Sequence, residues 1–281
     1  MTTLDDRALD RTSPAQRLAD LVGDSLTITK RNVIKIRRVP DVLIFSTLSP
    51  IMFVLLFAYV FGSAIKLEGT SYREFLIAGI FAQTAVFGAT FTGSSLAEDM
   101  QKGIIDRFRS LPMTPAAVLI GRTVADVVIN VVSLVVMSVT GFAVGWRIRG
   151  SLLDAVLAYV LLLVFAYAVS WIMAVVGLLV RTPEVFNNAS FMVIFPLTFI
   201  ANTFVPSSEL PTPLRVFAEW NPVSAVTQAT RVLFGNSSAA VPSEAVWSIR
   251  HPTATTLIWV VVILVIFVPL ALRQFRRAVS R

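Results

Sequence analysis

Few side chains in this sequence could make or break bonds. There is one histidine, His251, and no cysteine in 281 residues. Thiolate ligands, disulfides and histidine-rich clusters are therefore ruled out, and no metal site is expected. No His-Glu-x-x-His, Gly-x-Ser-x-Gly or Gly-x-x-x-x-Gly-Lys-Ser/Thr run occurs, so the spacings of a zinc hydrolase, a serine nucleophile and a phosphate-cradling loop are all missing. What remains suits recognition better than catalysis. The segment EDMQKGIIDRFRSLPMTP, Glu98 to Pro115, mixes acids, bases and apolar residues; Arg122 and Asp126 stand at i and i+4; and Gln83, Asn187, Asn188 and Asn202 sit inside otherwise apolar stretches.

The elements that must position these groups are membrane helices. Hydrophobic residues make up 56 % of the chain and charged residues only 15 %, too apolar a balance for an ordinary soluble domain. The formal charge of +7 does not point to nucleic acid, because the basic residues flank apolar runs and form no soluble basic domain. A helix needs about 20 apolar residues to cross a hydrocarbon core of about 30 Å. Six charge-free runs meet that length: Val42 to Ile65, Phe75 to Ala97, Val127 to Gly145, Ala155 to Val180, Val185 to Pro206 and Thr255 to Leu272. Between the fourth and fifth, Thr182 and Pro183 supply an N-cap and a first helical residue, which predicts a tight hairpin.

Six spans put both termini on one side, and the basic flanks make that side cytoplasmic: Lys30, Arg31, Lys35, Arg37 and Arg38 precede the first span, and Arg273, Arg276, Arg277 and Arg281 follow the last. The outward loop Trp146-Arg147-Ile148-Arg149 runs against this bias, and its arginines are expected to snorkel to headgroups beside Trp146. No apolar signal-peptide core precedes the first span. Leu18, Leu21, Val22, Ser25, Thr29, Val33 and Ile36 recur at spacings of three and four, predicting an amphipathic helix on the inner leaflet. The expected fold is an all-α integral membrane protein. Residues 1–41 form a cytoplasmic N-terminus with the interfacial helix, 42–272 a six-helix transmembrane domain and 273–281 a basic tail. The proline-rich stretch from Val205 to Pro252 is expected to form short amphipathic helices that re-enter the outer leaflet.

If the cytoplasmic loop coils, Ile104, Ile105, Phe108 and Leu111 form an apolar stripe rimmed by Lys102, Asp106, Arg107 and Arg109, ended by Pro112. Such a stripe needs a cover, which could be the same chain, lipid headgroups of the bilayer surface or, as the sharper reading, a cytosolic partner subunit. The absence of ionisable residues from the six runs disfavours a proton- or ion-driven carrier. Arg122 and Asp126 are read as a structural ion pair on one helical face. Phe53, Phe57, Gln83, Phe87, Phe91, Asn188, Phe195, Thr198 and Asn202 are candidates for a pathway wall of the apolar, sparsely polar kind that takes amphiphilic molecules, with Phe45, Thr90 and Asn187 beside them. Pro50 and Pro196 are expected to bend their helices, and Ala85-Ala89-Gly93 and Gly141-Gly145 to allow close helix contact.

The segment GIIDRFRSLPMTP followed by Gly121-Arg122 resembles the cytoplasmic loop of ABC-2-type permeases. The run FPLTFIANTFVPSSELPTPLRVFAEWNPVSAVTQATRVLFG, Phe195 to Gly235, is similar to their fifth span and outer segment, as found in daunorubicin-resistance permeases. The resemblance implies a multi-pass permease in a bacterial cell membrane and gives the coupling-helix role to Gly103, Ile104, Ile105, Asp106, Arg107, Phe108, Arg109, Leu111 and Pro112. It also implies no cofactor in this chain, with ATP and magnesium held by a separate cytosolic ATPase in two copies, and a second permease subunit, identical or a close relative. Drug or antibiotic export is the function so implied; lipid, glycolipid or polysaccharide export would use the same architecture.

Overall fold

The computed structural model describes residues 14–38, 40–61, 71–104, 115–237 and 245–279, and among these every regular element is a helix. The chain runs through α1 (Pro14–Arg38), α2 (Pro40–Leu56, continued by a π turn, Phe57–Phe61), α3 (Tyr72–Gly88), α4 (Thr90–Gln101), α5 (Pro115–Ala143), α6 (Leu152–Leu179) and α7 (Pro183–Phe199). A 3-10 turn (Ser207–Glu209), α8 (Thr212–Trp220), α9 (Pro222–Leu233), α10 (Trp247–Arg250) and α11 (Pro252–Val279) complete it. Four stretches are long and apolar enough to cross a membrane: Tyr72–Gln101, Ala116–Ala143, Leu152–Leu179 and Pro252–Ala278. α2 and α7, at 17 residues each, are shorter.

Helix ends follow local chemistry. Ser71, Ser151 and Thr182 cap α3, α6 and α7 by accepting hydrogen bonds from the backbone N–H groups of Glu74, Asp154 and Val185, so the hairpin expected at Thr182-Pro183 forms. α5 stops in a Schellman-type turn: Gly145 takes φ +96° and the Trp146 N–H reaches back to the Gly141 carbonyl at 2.9 Å, a conformation that favours glycine. Trp146 does not sit among headgroups as expected. It is fully buried, packed edge-on to Phe81 and Phe234, and its Nε1 donates to Asn236 at 2.7 Å. Arg149, mostly exposed, is paired with Glu74 at 2.7 Å, while Arg147 donates to the Phe142 carbonyl at the α5 C-terminus. The basic loop from Trp146 to Arg149 is thus held by groups of its own protein.

Three further expectations change. The fifth run is helical only to Phe199, because beyond it the backbone is held by α9 side chains: Ser224 Oγ accepts from Asn202 N at 2.9 Å and Arg231 donates to the Thr203 carbonyl at 3.2 Å. α5 begins at Pro115, well ahead of the charge-free run, so Arg122 and Asp126 lie within the helix, on its buried side. α1 docks on α5 as well as being amphipathic. Ser25 and Ile28 are buried there and Thr29 Oγ1 donates to the Gly121 carbonyl at 3.1 Å, while Val22 and Leu26 stay exposed on another face. A Cβ on Gly121 would lie 2.7 Å from Ile28 Cβ and from the Ser25 carbonyl, so glycine permits the contact.

Two glycines in this pair of helices should therefore respond oppositely to alanine. A methyl group at Gly23 would meet open space, so Gly23→Ala should stabilise α1 by about 0.5–1 kcal/mol through helix propensity. Gly121→Ala should lower the thermal unfolding temperature in detergent and expose α1 to limited proteolysis.

Candidate functional site

The longest apolar stretch, Tyr72–Gln101, is interrupted at its middle. Ala89 separates α3 from α4, and Thr90 Oγ1 turns back to donate to the Phe87 carbonyl at 2.6 Å. Around this joint lies a cavity of about 330 Å³, within the range that drug-sized ligands occupy. α2 contributes Ser49, Pro50 and Phe53; α3 and α4 contribute Gln83, Thr84, Phe87, Gly88, Thr90 and Phe91; α5 contributes Ser133; α7 contributes Phe191, Phe195 and Phe199. The α7 rings recur every fourth residue and pack along one wall, with centroids 5.1 Å apart for Phe191–Phe195 and 4.1 Å for Phe195–Phe199.

Among the described residues no charged group lines the cavity. Its walls offer ring faces and edges, which suit flat apolar surfaces, and a few hydroxyl and amide groups. Thr84 lines the cavity and its buried hydroxyl has no hydrogen-bond partner. The arrangement can hold an aromatic amphiphile and orient it.

Below the cavity, α4 and α5 are joined by buried polar contacts. Arg122 does not pair with Asp126 one turn along its own helix, as the sequence leads one to expect. It reaches across to Asp99 instead, and Asp126 accepts a hydrogen bond from Thr92 of α4. Neighbouring helices bring Asp99 and Thr92 closer to these side chains than the i, i+4 geometry brings them to each other. Asn130 Nδ2 donates to the Asp126 carbonyl at 3.1 Å, one turn towards the cavity.

Of the nine expected pathway residues, Phe53, Gln83, Phe87, Phe91 and Phe195 meet at the cavity, with Thr90 beside them. Phe57 lies just beyond it, stacked on Phe204 at 4.6 Å. Asn188 is on an exposed face of α7, Thr198 donates back to the Ile194 carbonyl at 2.9 Å, and Asn202 donates to Gln228 of α9 at 3.1 Å. None of these three lines the cavity. Ser49, Thr84, Ser133, Phe191 and Phe199 are additions to the expected set; the spacing of Phe191, Phe195 and Phe199 is a readable signal, whereas nothing marks Ser133. Of the loop residues, only Gly103 and Ile104 are described. Gly103 takes φ +63° and follows the end of α4, and Lys102 before it is held above its usual pKa by its hydrogen bond to Glu98. Ile105, Asp106, Arg107, Phe108, Arg109, Leu111 and Pro112 lie outside the described residues.

The family model described as ABC-2 type transporter matches residues 25–234. The chain is 35 % identical over 215 residues, covering 76 % of each protein, to the daunorubicin resistance ABC transporter permease protein DrrB1 of Streptomyces coeruleorubidus. It is 25 % identical over 203 residues, 72 % of this chain and 70 % of the relative, to the doxorubicin resistance ABC transporter permease protein DrrB of Mycobacterium tuberculosis.

The buried contact between Arg122 and Asp99 gives a test of the lower scaffold. Arg122→Gln leaves a carboxylate without its cation and should cost about 3–5 kcal/mol, read as a lower unfolding midpoint in detergent. Removing both charges with Arg122→Leu and Asp99→Leu should recover most of that loss.

Proposed function

This chain belongs to the ABC-2 type transporter family, and from that premise we propose that it is the permease subunit of an ATP-driven exporter of aromatic amphiphiles, with the cavity at the Ala89 joint as part of their path. The observation that carries this reading is the lining: six phenylalanines from four helices, no charge among the described residues, and an unpartnered threonine hydroxyl. The names of the two relatives, permeases for daunorubicin and doxorubicin resistance, support a cargo of that chemistry.

The proposed topology has six spans with both ends in the cytoplasm. α2 with its π turn makes the first crossing. α7, with a rise of about 1.5 Å per residue, falls short of a full crossing, and the folded-back segment after Phe199 completes the fifth. The short helices α8, α9 and α10 dip into the outer leaflet: Phe217, Trp220 and Trp247 are half exposed there, as suits aromatic residues at an interface. Work is supplied by two copies of a cytosolic ATPase that hold ATP and magnesium and press on the loop from Gly103 to Pro112, and a second permease subunit, identical or closely related, completes the exporter in the bacterial cell membrane. Nothing in this chain is catalytic.

The deciding experiment reconstitutes the complex and measures ATPase stimulation by daunorubicin and by envelope lipids. Stimulation by the drug is expected, and Thr84→Val should raise the half-maximal concentration about fivefold, the loss of one hydrogen bond near 1 kcal/mol. Stimulation by lipids alone would overturn the proposed cargo. Phe108→Asp should abolish capture of the ATPase while the chain still inserts; unchanged capture would remove the coupling role.

A further inference from the structure

Arg231 is the most unusual side chain outside the cavity. It lies in α9 with 1 % of its surface exposed, and no carboxylate among the described residues is within ion-pair distance. Its guanidinium is held instead by neutral groups: Nε donates to the Phe75 carbonyl at 2.9 Å, one terminal nitrogen to the Thr203 carbonyl at 3.2 Å, and the carbon centre sits 3.5 Å from the Phe75 ring centroid. Three segments converge on this one cation: the start of α3, the stretch after α7, and α9.

The stretch it holds carries Phe204. That ring is buried, stacked on Phe57 at 4.6 Å and tilted against Phe199 at 4.8 Å. Phe199 lines the cavity and Phe57 does not, so the Phe57–Phe204 pair packs directly behind a cavity-lining ring. We infer that this stack is the outer gate of the cavity and that Arg231 is the positioning residue that makes its closure releasable; the inference rests on the cavity being the export path. A buried cation without a counter-charge is costly to desolvate. Hydration on opening would return part of that cost, so the latch holds through geometry and releases when the surrounding helices shift. An apolar side chain of similar length would fill the site without that cost and leave the gate biased closed.

The chain contains no cysteine, so a single reporter can be placed without background. Thr203→Cys is close in size, and the Thr203 side chain is fully buried. The reporter chain is co-expressed with its ATPase in cells, and labelling by a membrane-impermeant maleimide is compared at rest and during daunorubicin export. A gate open in at most about 10 % of molecules at rest should give labelling about tenfold faster during export. Adding Arg231→Met should leave resting labelling as low as before and abolish the export-dependent rise, with daunorubicin efflux slowed. If instead Arg231→Met raises resting labelling and lowers the unfolding temperature, Arg231 is only a packing residue and the inference is overturned. Should that variant fail to reach the membrane, Phe57→Ala in the reporter decides: faster resting labelling supports the gate and unchanged labelling removes it. Absence of drug-stimulated ATPase activity in the unmodified complex would defeat the export path itself, whereas stimulation that persists with unresponsive labelling defeats only the gate.

Discussion

α4 and α6 touch backbone to backbone where Gly93 meets Gly177, and the placement of the cavity depends on that approach. A Cβ on Gly177 would lie 2.3 Å from the Gly93 carbonyl oxygen, and one on Gly93 would lie 2.2 Å from the Phe186 ring. Inside a bilayer there is little hydrophobic gain from bringing two helices together, so close van der Waals contact at small residues has to supply the attraction. The missing side chain at Gly93 admits Phe186, which is fully buried. With the first turn of α7 anchored there, Phe191, Phe195 and Phe199 face α2 and the Ala89 joint. A bulkier residue at either glycine would displace the whole aromatic wall.

Polar groups then fix the two ends of this frame by different means. Below the cavity the carboxylates have partners: Asp99 is satisfied by Arg122, and Asp126 by Thr92. Buried polar contacts of this kind, made between helices, hold their packing rigid. Above the cavity, Arg231 is satisfied by carbonyl dipoles and a ring face. An ion pair makes a firm floor, since breaking it strands a charge, and a cation on neutral acceptors makes a releasable top. Under the proposed topology, movement delivered at the C-terminal end of α4 would pass through a stiff lower half to a joint at Ala89 and an upper half able to yield.

Much of this is legible in residue order, and the parts that are not share a cause. Charge-free runs locate the apolar helices, Thr182-Pro183 marks the hairpin, and the prolines beyond Val205 mark a segment too broken for a long helix. Counting only charge-free residues hides the lower third of α5 and the end of α4, because a buried charge with a partner on another helix looks the same in sequence as one in water. The partner of Arg122 escapes a sequence reading for that reason: the i, i+4 neighbour is visible in a single chain and Asp99 is not. Cavity residues are recognisable where they are aromatic. Ser133 and Thr84 carry no such mark, and their role follows from which helices pack together. The break at Ala89 has no proline or glycine at its own position to announce it, although Gly88 precedes it.

The claim that cargo occupies the space at the Ala89 joint is tested most directly by photolabelling. A daunorubicin derivative carrying a small photoreactive group would be irradiated with the reconstituted complex, and the adducts mapped by peptide mass spectrometry with and without excess unmodified drug. Adducts on Ser49 to Phe53, Gln83 to Phe91 and Phe191 to Phe199, suppressed by the competitor, are expected. Adducts confined to the exposed apolar faces of α6 and α11, or insensitive to competition, would contradict it.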